Sequence, residues 1–426
     1  MINIPRSSQS RVVIIGGGFA GLSLARKLTQ NVDFQVVLID KNNFYQFQPL
    51  FYQVAMAGLE PSSIVFPFRK IFQKKSNIFL RFTTVLSVQS AENKIVTELG
   101  ELEYDYLVIA TGVETNFFGN ELIARHAIPM KTVSEALFLR NAILEDYEKA
   151  LVAESDELRQ SLLDVVIVGG GPTGVEVAGA LAEMKKYVLP KDYRELKADE
   201  IDIYLVQGSS RLLDSMSEEA SQSAEHFLSQ LNVKIIKNMR VVNFDGDTVT
   251  MEDGSTIRCK KVIWAAGICG NPLQGLPPNA LVRGKRVKVN AYHQVEGFEN
   301  IYALGDIAYM ESDANNPNGH PQLAQAAIQQ ANSLAANFVR SQKHQKLQEF
   351  KYKNLGSMAT VGRNLAVVDL PNFKFQGFFA WLVWLFVHLF SILGMKNKLF
   401  IFLNWISNYV TYDQSLRLLI KPRIKP

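Results

Sequence analysis

Arg11-Val-Val-Ile-Ile-Gly-Gly-Gly-Phe-Ala-Gly-Leu22 is an apolar run, a glycine turn and the opening of a helix, and its reading decides the fold. The apolar residues have the length of one buried strand. Gly16, Gly18 and Gly21 hold the GxGxxG spacing. The first permits the tight turn, the second lets backbone N–H groups approach a pyrophosphate, and the third lets helix pack on strand. A helix is predicted from about Ala20 to Leu28. A second apolar run, Phe34 to Ile39, ends in Asp40, 19 residues after Gly21, where a carboxylate accepts hydrogen bonds from a ribose diol. Chance glycine turns are common, but here strand, turn, helix, second strand and terminal acid follow in the order the motif requires.

The pattern recurs. Asp164-Val-Val-Ile-Val-Gly-Gly-Gly-Pro-Thr-Gly-Val-Glu176 repeats strand, turn and helix, with Gly169, Gly171 and Gly174 at the same spacing. A strand from Ile201 to Val206 follows and ends at Gln207. Two such units imply two dinucleotides, of which the usual pair is a tightly held flavin and a nicotinamide donor that visits it. Three more buried strands end in small residues: Tyr106-Leu-Val-Ile-Ala-Thr-Gly112, Val262-Ile-Trp-Ala-Ala-Gly267 and Asn300-Ile-Tyr-Ala-Leu-Gly-Asp306. Singly these are ordinary αβ connections where a cofactor can pass close to the backbone.

Composition narrows the class. Hydrophobic residues make up 47% and charged residues 20% of 426, which is globular rather than disordered. From Leu370 onward seven Lys or Arg accompany one acid, Asp413, so the tail holds +6 of a total +4 and the rest of the chain is −2. A basic, aromatic tail on a slightly acidic body points to an anionic membrane surface, not to nucleic acid. Cys259 and Cys269 have no CxxC spacing, which fits a reducing compartment and excludes the redox-disulfide flavoenzymes. The apolar residues from Val12 run into the glycine cluster, so they belong to the fold and not to a signal peptide. No metal site is expected.

The order GxGxxG, ATG, GxGxxG, AAG and GD resembles the two-dinucleotide-binding-domain flavoproteins over residues 11–335. That resemblance implies an α/β fold with two Rossmann-like domains of the glutathione-reductase type. It implies an FAD-binding domain in two pieces (1–120 and 285–345), an inserted NAD(P)H-binding domain (121–284) and a C-terminal segment (346–426) carrying membrane-anchoring helices. The FAD-binding residues it implies are Gly16, Gly18, Gly21, Asp40, Lys41, Gln48, Thr111, Gly112, Gly305 and Asp306, the last holding the ribityl and pyrophosphate region. Those for the nicotinamide nucleotide are Gly169, Gly171, Gly174, Gln207, Ala266 and Gly267.

Within that superfamily, the segment after His320 resembles the AQxAxQ signature of type II NADH dehydrogenases, the single-subunit NADH:quinone oxidoreductases that do not pump protons. Gln325 and Gln329 lie four apart on one helical face. By themselves two glutamines are a solvated stripe; the resemblance implies that they border the quinone head group. Phe47-Gln-Pro-Leu-Phe-Tyr-Gln-Val-Ala55, Gly356-Ser-Met-Ala-Thr-Val-Gly-Arg363, Trp381-Leu-Val-Trp384, His388, Asn397-Lys, Trp405 and Tyr409-Val-Thr carry the same resemblance. Glu176 has a plain role as an acid in a helix's first turn. The resemblance implies instead a place beside flavin and nicotinamide, where it relays protons. It further implies a homodimer with a membrane-anchoring tail; peripheral attachment at the cytoplasmic face of the cell inner membrane is expected from the lack of a secretory h-region and from the reduced cysteines.

The tail also speaks for itself. Gly377 to Met395 carries no formal charge apart from His388, so by length a single span and an interfacial helix both remain open. Gly377, Ala380, Trp384, His388, Ser391 and Gly394 form one smaller, more polar stripe, and Leu399 to Ile406 is too short to return across a bilayer. An interfacial helical pair fits these features better. Lys374 reads as a snorkelling anchor. One departure from the family pattern stands out: Gln207 replaces an acid, which removes repulsion toward a 2′-phosphate, and Arg211 lies four residues on. NADPH is therefore expected to compete with NADH. The alternatives are a sulfide:quinone oxidoreductase, for which the two cysteines form no convincing pair, and a nucleotide-switched flavoprotein that signals, like apoptosis-inducing-factor relatives.

Overall fold

The computed structural model describes residues 2–412 and 416–419. Asp413, Lys421, Arg423 and Lys425, part of the tail's charge count, lie outside the described residues. Five helices position the site: α1 (Phe19–Leu28), α2 (Pro172–Glu183), α3 (Ala324–Gln342), α4 (Phe378–Ser391) and α5 (Met395–Thr411). The chain divides into two units, the first comprising Met1–Gln46, Phe66–Glu114 and Ile268–Leu355, the second Phe47–Val65, Thr115–Gly267 and Gly356–Pro426.

The first unit is built on a five-stranded parallel sheet in the order Ile301–Ala303, Tyr106–Ile109, Ser10–Ile15, Phe34–Asp40, Ile78–Phe82. Its central strand reads as an unbroken apolar run because both faces are covered; Val12, Val13 and Ile14 are fully buried. Val12 pairs with Val36 on one side and Tyr106 on the other. Helix α1 returns along this strand and α3 packs against it. Only glycine fits at Gly21, where a Cβ would stand 1.8 Å from the Gly16 carbonyl oxygen.

The second unit repeats the plan with strands Ile128–Pro129, Lys261–Trp264, Val165–Val168, Ile203–Val206 and Val233–Ile236, all parallel. Helix α2 follows Val165–Val168 and is covered by an antiparallel sheet of Ser357–Gly362, Leu365–Leu370 and Phe373–Gln376. The approach is close, since a Cβ on Gly179 of α2 would lie 2.1 Å from the Val361 carbonyl oxygen.

The tail is a pair of helices, as the sequence suggests, with bounds that the sequence did not give. The uncharged run from Gly377 to Met395 is not one helix: α4 stops at Ser391, and Gly394 turns the chain with φ 79° into α5. At 14 residues, α4 is about 21 Å long against a hydrocarbon core of about 30 Å. No helix among the described residues is long and apolar enough to cross a membrane. The apolar segment Leu399–Ile406, in turn, is the middle of a 17-residue helix. The stripe at three- and four-residue spacing does form one face, and Ala380 and Trp384 on it are fully buried against the unit. The opposite face of α4, with Phe379, Phe386 and Phe390, is exposed. Helix α5 is tied to the Gln53–Ser63 stretch by hydrogen bonds from Asn397 to the Ser63 carbonyl (2.9 Å), Trp405 to Gln53 Oε1 (2.8 Å) and Asn408 to the Gly58 carbonyl (3.0 Å). This polar edge explains why 47–65 and the tail cluster with the second sheet. Lys374 forms an exposed ion pair with Glu219 at 3.1 Å.

Candidate functional site

Both glycine turns present open cradles. Gly16 (φ 99°) and Gly169 (φ 107°) adopt the left-handed backbone that the turn requires. The helices that follow start at Gly18 and Gly171 with no side chain capping their first-turn N–H groups. A Cβ built on Gly18, Gly112 or Gly171 would meet no atom within 4 Å, so uncapped N–H groups face free space. This is the arrangement a pyrophosphate needs, and the residues fit the two dinucleotides.

The acid at the end of the second strand is fixed in the first cradle. Asp40 Oδ2 accepts the Gly17 N–H at 2.6 Å and Oδ1 accepts the Asn42 N–H at 2.7 Å. Burial raises its pKa and these hydrogen bonds partly offset the shift. In the second cradle Gln207 takes the same post: its Oε1 accepts the Gly170 N–H at 2.8 Å and its Nε2 donates to Ser209 Oγ at 2.5 Å. An amide thus keeps the structural bond of the acid without its charge. Arg211, the candidate 2′-phosphate partner, donates to the carbonyls of Asp214 (2.7 Å) and Met216 (3.2 Å).

The remaining sequence-predicted residues belong to the first unit, except Gln48, Glu176, Ala266 and Gly267, which belong to the second. Thr111 Oγ1 donates to the Asn271 carbonyl at 2.7 Å, beside Gly112. The Gly305 N–H donates to Gln330 Oε1 at 2.7 Å, and Gln322 donates to the Asp306 carbonyl at 3.1 Å, so α3 and its approach segment hold the GD turn. Lys41 and Gln48 are exposed. Gln325 Oε1 accepts the Leu355 N–H (2.9 Å), while Gln329 both accepts from the Lys353 N–H (3.0 Å) and donates to its carbonyl (2.9 Å). Both amides therefore hold the segment that leads to the C-terminal sheet. Ala266 and Gly267 follow the Lys261–Trp264 strand, where Gly267 packs on Phe118.

Glu176 lies in a cavity of about 150 Å³ within the second unit. Helix α2 supplies Glu176 and Glu183, the strand Ser357–Gly362 and its turn supply Thr360 and Arg363, and the short helix Phe51–Ala55 supplies Tyr52 and Gln53. Trp381, Trp405 and Tyr409 of α4 and α5 close it. Burial pushes the Glu176 carboxyl up to about 8, against a single long hydrogen bond from the Thr360 N–H (3.5 Å). The Trp384 indole N–H lowers it further but makes no hydrogen bond of normal geometry among the described residues. At neutral pH Glu176 is thus largely a protonated acid in an aromatic box. Tyr52 Oη accepts from Gln53 Nε2 at 2.8 Å and pairs with Thr360 Oγ1 at 3.2 Å. His388, the one titratable group on the α4 stripe, is stacked 3.9 Å from Trp384; burial drops it to about 4, so it is neutral and donates from Nδ1 to the Trp384 carbonyl.

Sequence reasoning did not single out Glu183, Tyr52, Arg363 or Gln330. Glu183 had a signal: it lies seven residues from Glu176, two turns along the apolar helix α2. Cys259 and Cys269 are buried, unpaired thiols; burial pushes Cys259 up to about 12, and burial and the Glu114 charge raise Cys269, so neither is activated as a thiolate.

Residues 10–331 match the pyridine nucleotide-disulphide oxidoreductase family, and residues 354–411 match the NDH2 C-terminal domain. The type II NADH:quinone oxidoreductase Ndh of Mycobacterium tuberculosis is 34% identical, over 94% of this chain and 88% of that protein. An internal alternative NAD(P)H-ubiquinone oxidoreductase of Solanum tuberosum mitochondria is 28% identical over 94% of this chain and 86% of that protein. Among solved structures, NDH2 of Plasmodium falciparum in complex with NADH shares the fold at a TM-score of 0.88 and 21% identity, covering 97% of this chain and all of that one. The sulfide:quinone oxidoreductase of Aquifex aeolicus fits less well, at a TM-score of 0.69. Two nucleotide cradles, a matching C-terminal domain and a relative at one-third identity over nearly the whole length lead to one conclusion: the chain belongs to the type II NADH:quinone oxidoreductases.

Proposed function

We propose that this chain oxidises NADH and reduces a quinone, with FAD as the electron carrier between them and without pumping protons. The observation that carries the reading is a carboxyl, Glu176, buried in an aromatic cavity roofed by two helices whose outer faces are apolar. FAD, when bound, supplies the chemistry of accepting a hydride and passing electrons on. The protein's part is to bind, orient and protonate. Gly16, Gly18, Gly21, Asp40, Lys41, Gln48, Thr111, Gly112, Gly305 and Asp306 hold FAD. Gly169, Gly171, Gly174, Gln207, Ala266 and Gly267 hold the nicotinamide nucleotide. Glu176 gives a proton to the quinone oxygen, acting as a general acid. Gln325 and Gln329 are proposed to border the head group, which requires them to exchange their main-chain bonds to 353–355.

The exposed phenylalanines and leucines of α4 and α5, with Lys396 and Lys398, would seat the protein on one leaflet of the membrane that holds the quinone. A homodimer, on the strength of the family resemblance, and attachment to the cytoplasmic face of the inner membrane, on the strength of the two unpaired buried cysteines, complete the proposal. The test is oxidation of NADH and NADPH by purified, FAD-loaded protein with a short-chain quinone as acceptor. Quinone-dependent NADH oxidation that falls at least tenfold in Glu176→Gln is expected. Flavin bleaching by NADH with no quinone turnover in the unmodified protein would refute the assignment of the acceptor.

A further inference from the structure

Helix α2 brings a second carboxyl into the same cavity. Glu183 lies seven residues after Glu176, about 10 Å along the helix axis. The segment laid against α2 reaches both acids: Thr360 in the strand donates its N–H to Glu176, and Arg363, in the turn just after the strand and past a register shift between Thr360 and Gly362, donates its N–H to Glu183. The two acids therefore occupy equivalent posts at opposite ends of one cavity. Glu176 is the inner one, five residues from the nucleotide turn at Gly171. Glu183 is the outer one, beside Arg363, whose guanidinium sits 4.0 Å from the Tyr409 ring and 3.7 Å from the Tyr412 ring. Tyr409 and Tyr412 are 40% and 43% exposed, so this end meets solvent.

The reaction needs such a route. Quinone reduction by NADH takes up one proton from solution per quinol formed (NADH + H⁺ + quinone → NAD⁺ + quinol); the hydride brings the two electrons and one hydrogen, and the other proton must cross the protein to the quinone oxygen. We propose that Glu183 is the outer member of a two-carboxyl proton relay: it takes a proton from solvent at the Tyr409–Tyr412 mouth and passes it along the cavity to Glu176, which delivers it to quinone. The relay rests on the cavity being the quinone site. A gap of about 10 Å is too long for one transfer, but the Tyr52–Thr360 hydroxyl pair stands next to Glu176 and the cavity has room for a short chain of water. Burial pushes Glu183 up to about 7, opposed by the Arg363 N–H and by the charges of Arg363 and Lys186, so it both gains and loses a proton near neutrality. The other titratable groups that face the path, Tyr52, Tyr187, Tyr409 and Tyr412, are phenols, and burial raises Tyr52 well out of the working range. Acting through Glu176, Glu183 is a positioning and relay residue that does not touch quinone.

Glu183→Gln is a clean test, because the amide oxygen still accepts the Arg363 N–H while the proton is gone. Expected is a loss of tenfold or more in kcat for quinone reduction at pH 8, with the KM for NADH and the rate of flavin bleaching by NADH unchanged. The pH profile should lose its plateau below pH 7 and fall with each unit of pH, and added imidazole should restore turnover in the variant alone. The infrared band of protonated carboxyl groups should lose the component that titrates near pH 7. An unchanged kcat and pH profile would overturn the relay, and so would an equal slowing of flavin bleaching, the mark of a merely structural role. Intact quinone turnover in Glu176→Gln would overturn the cavity assignment itself, whereas intact turnover in Glu183→Gln alone overturns only the relay.

Discussion

Replacing Phe379, Phe386 and Phe390 by serine should release the protein from membranes while leaving its nucleotide chemistry in place. These rings project from the outer face of α4 and are 74%, 61% and 61% exposed. Full burial of a phenylalanine side chain is worth about 1.5–3 kcal/mol, so roughly two-thirds of that, about 1–2 kcal/mol, is available from each ring on insertion. The three together amount to about 3–6 kcal/mol, and with about 1.4 kcal/mol per decade the vesicle partition coefficient should fall roughly 10²- to 10⁴-fold. The fold should tolerate the change, because surface substitutions away from special contacts stay within about 0.5 kcal/mol. Lys396 and Lys398 would still attract anionic lipid, so the assay is co-sedimentation with neutral vesicles at about 0.15 M salt, where that attraction is small. Flavin bleaching by NADH in solution serves as the control. A decrease of less than tenfold in partitioning, with intact flavin chemistry, would refute the idea that this face enters the lipid.

Three further outcomes separate the parts of the site. In Gly21→Ala the new Cβ would lie 1.8 Å from the Gly16 carbonyl oxygen, and in Gly174→Ala 1.9 Å from that of Gly169. The first variant should purify without flavin absorbance, whereas the second should keep it and show a KM for NADH at least tenfold higher; the reverse pattern would exchange the two nucleotide assignments. Gln207→Glu keeps the acceptor for the Gly170 N–H and restores a charge near the ribose, so kcat/KM with NADPH should drop about tenfold or more while NADH is little affected. A thousandfold preference for NADH in the unmodified protein would show that Gln207 had relaxed nothing. Glu176 and Glu183, raised to about 8 and about 7, fold best as neutral acids. Their contribution to stability is complete below the unfolded carboxyl pKa of about 4.3 and is lost as pH rises through 7 to 8. The double glutamine variant should therefore gain Tm relative to the parent between pH 5 and 9, and melting curves that stay parallel would contradict the raised values.

What the sequence disclosed and what it withheld divide by range along the chain. The glycine turns could be read because every group that constrains Gly16, Gly21 and Asp40 comes from the turn itself or from neighbouring strands whose apolar runs are visible. The presence of Gln at 207 in place of an acid was equally plain, but that the amide would keep the bond to the Gly170 N–H needed coordinates. The tail's stripe showed its period, and the structure supplied its direction, with Ala380 and Trp384 turned inward and the phenylalanines outward. Glu176 lay furthest from reach. An acid in the first turns of a helix is ordinary in sequence, and its chemistry here comes from Thr360, 184 residues away, and from the walls of α4 and α5. Those partners cover the helix without supplying a cation, so desolvation outweighs the opposing effects of the Thr360 and Trp384 N–H groups and the carboxyl's pKa is raised. The turn that ends this strand gives Glu183 its own backbone donor, the Arg363 N–H. A sequence reader sees two glutamates seven apart on a helix; the fold turns them into two acids that share one cavity, which is why the function of the second became arguable only once the strand was in place.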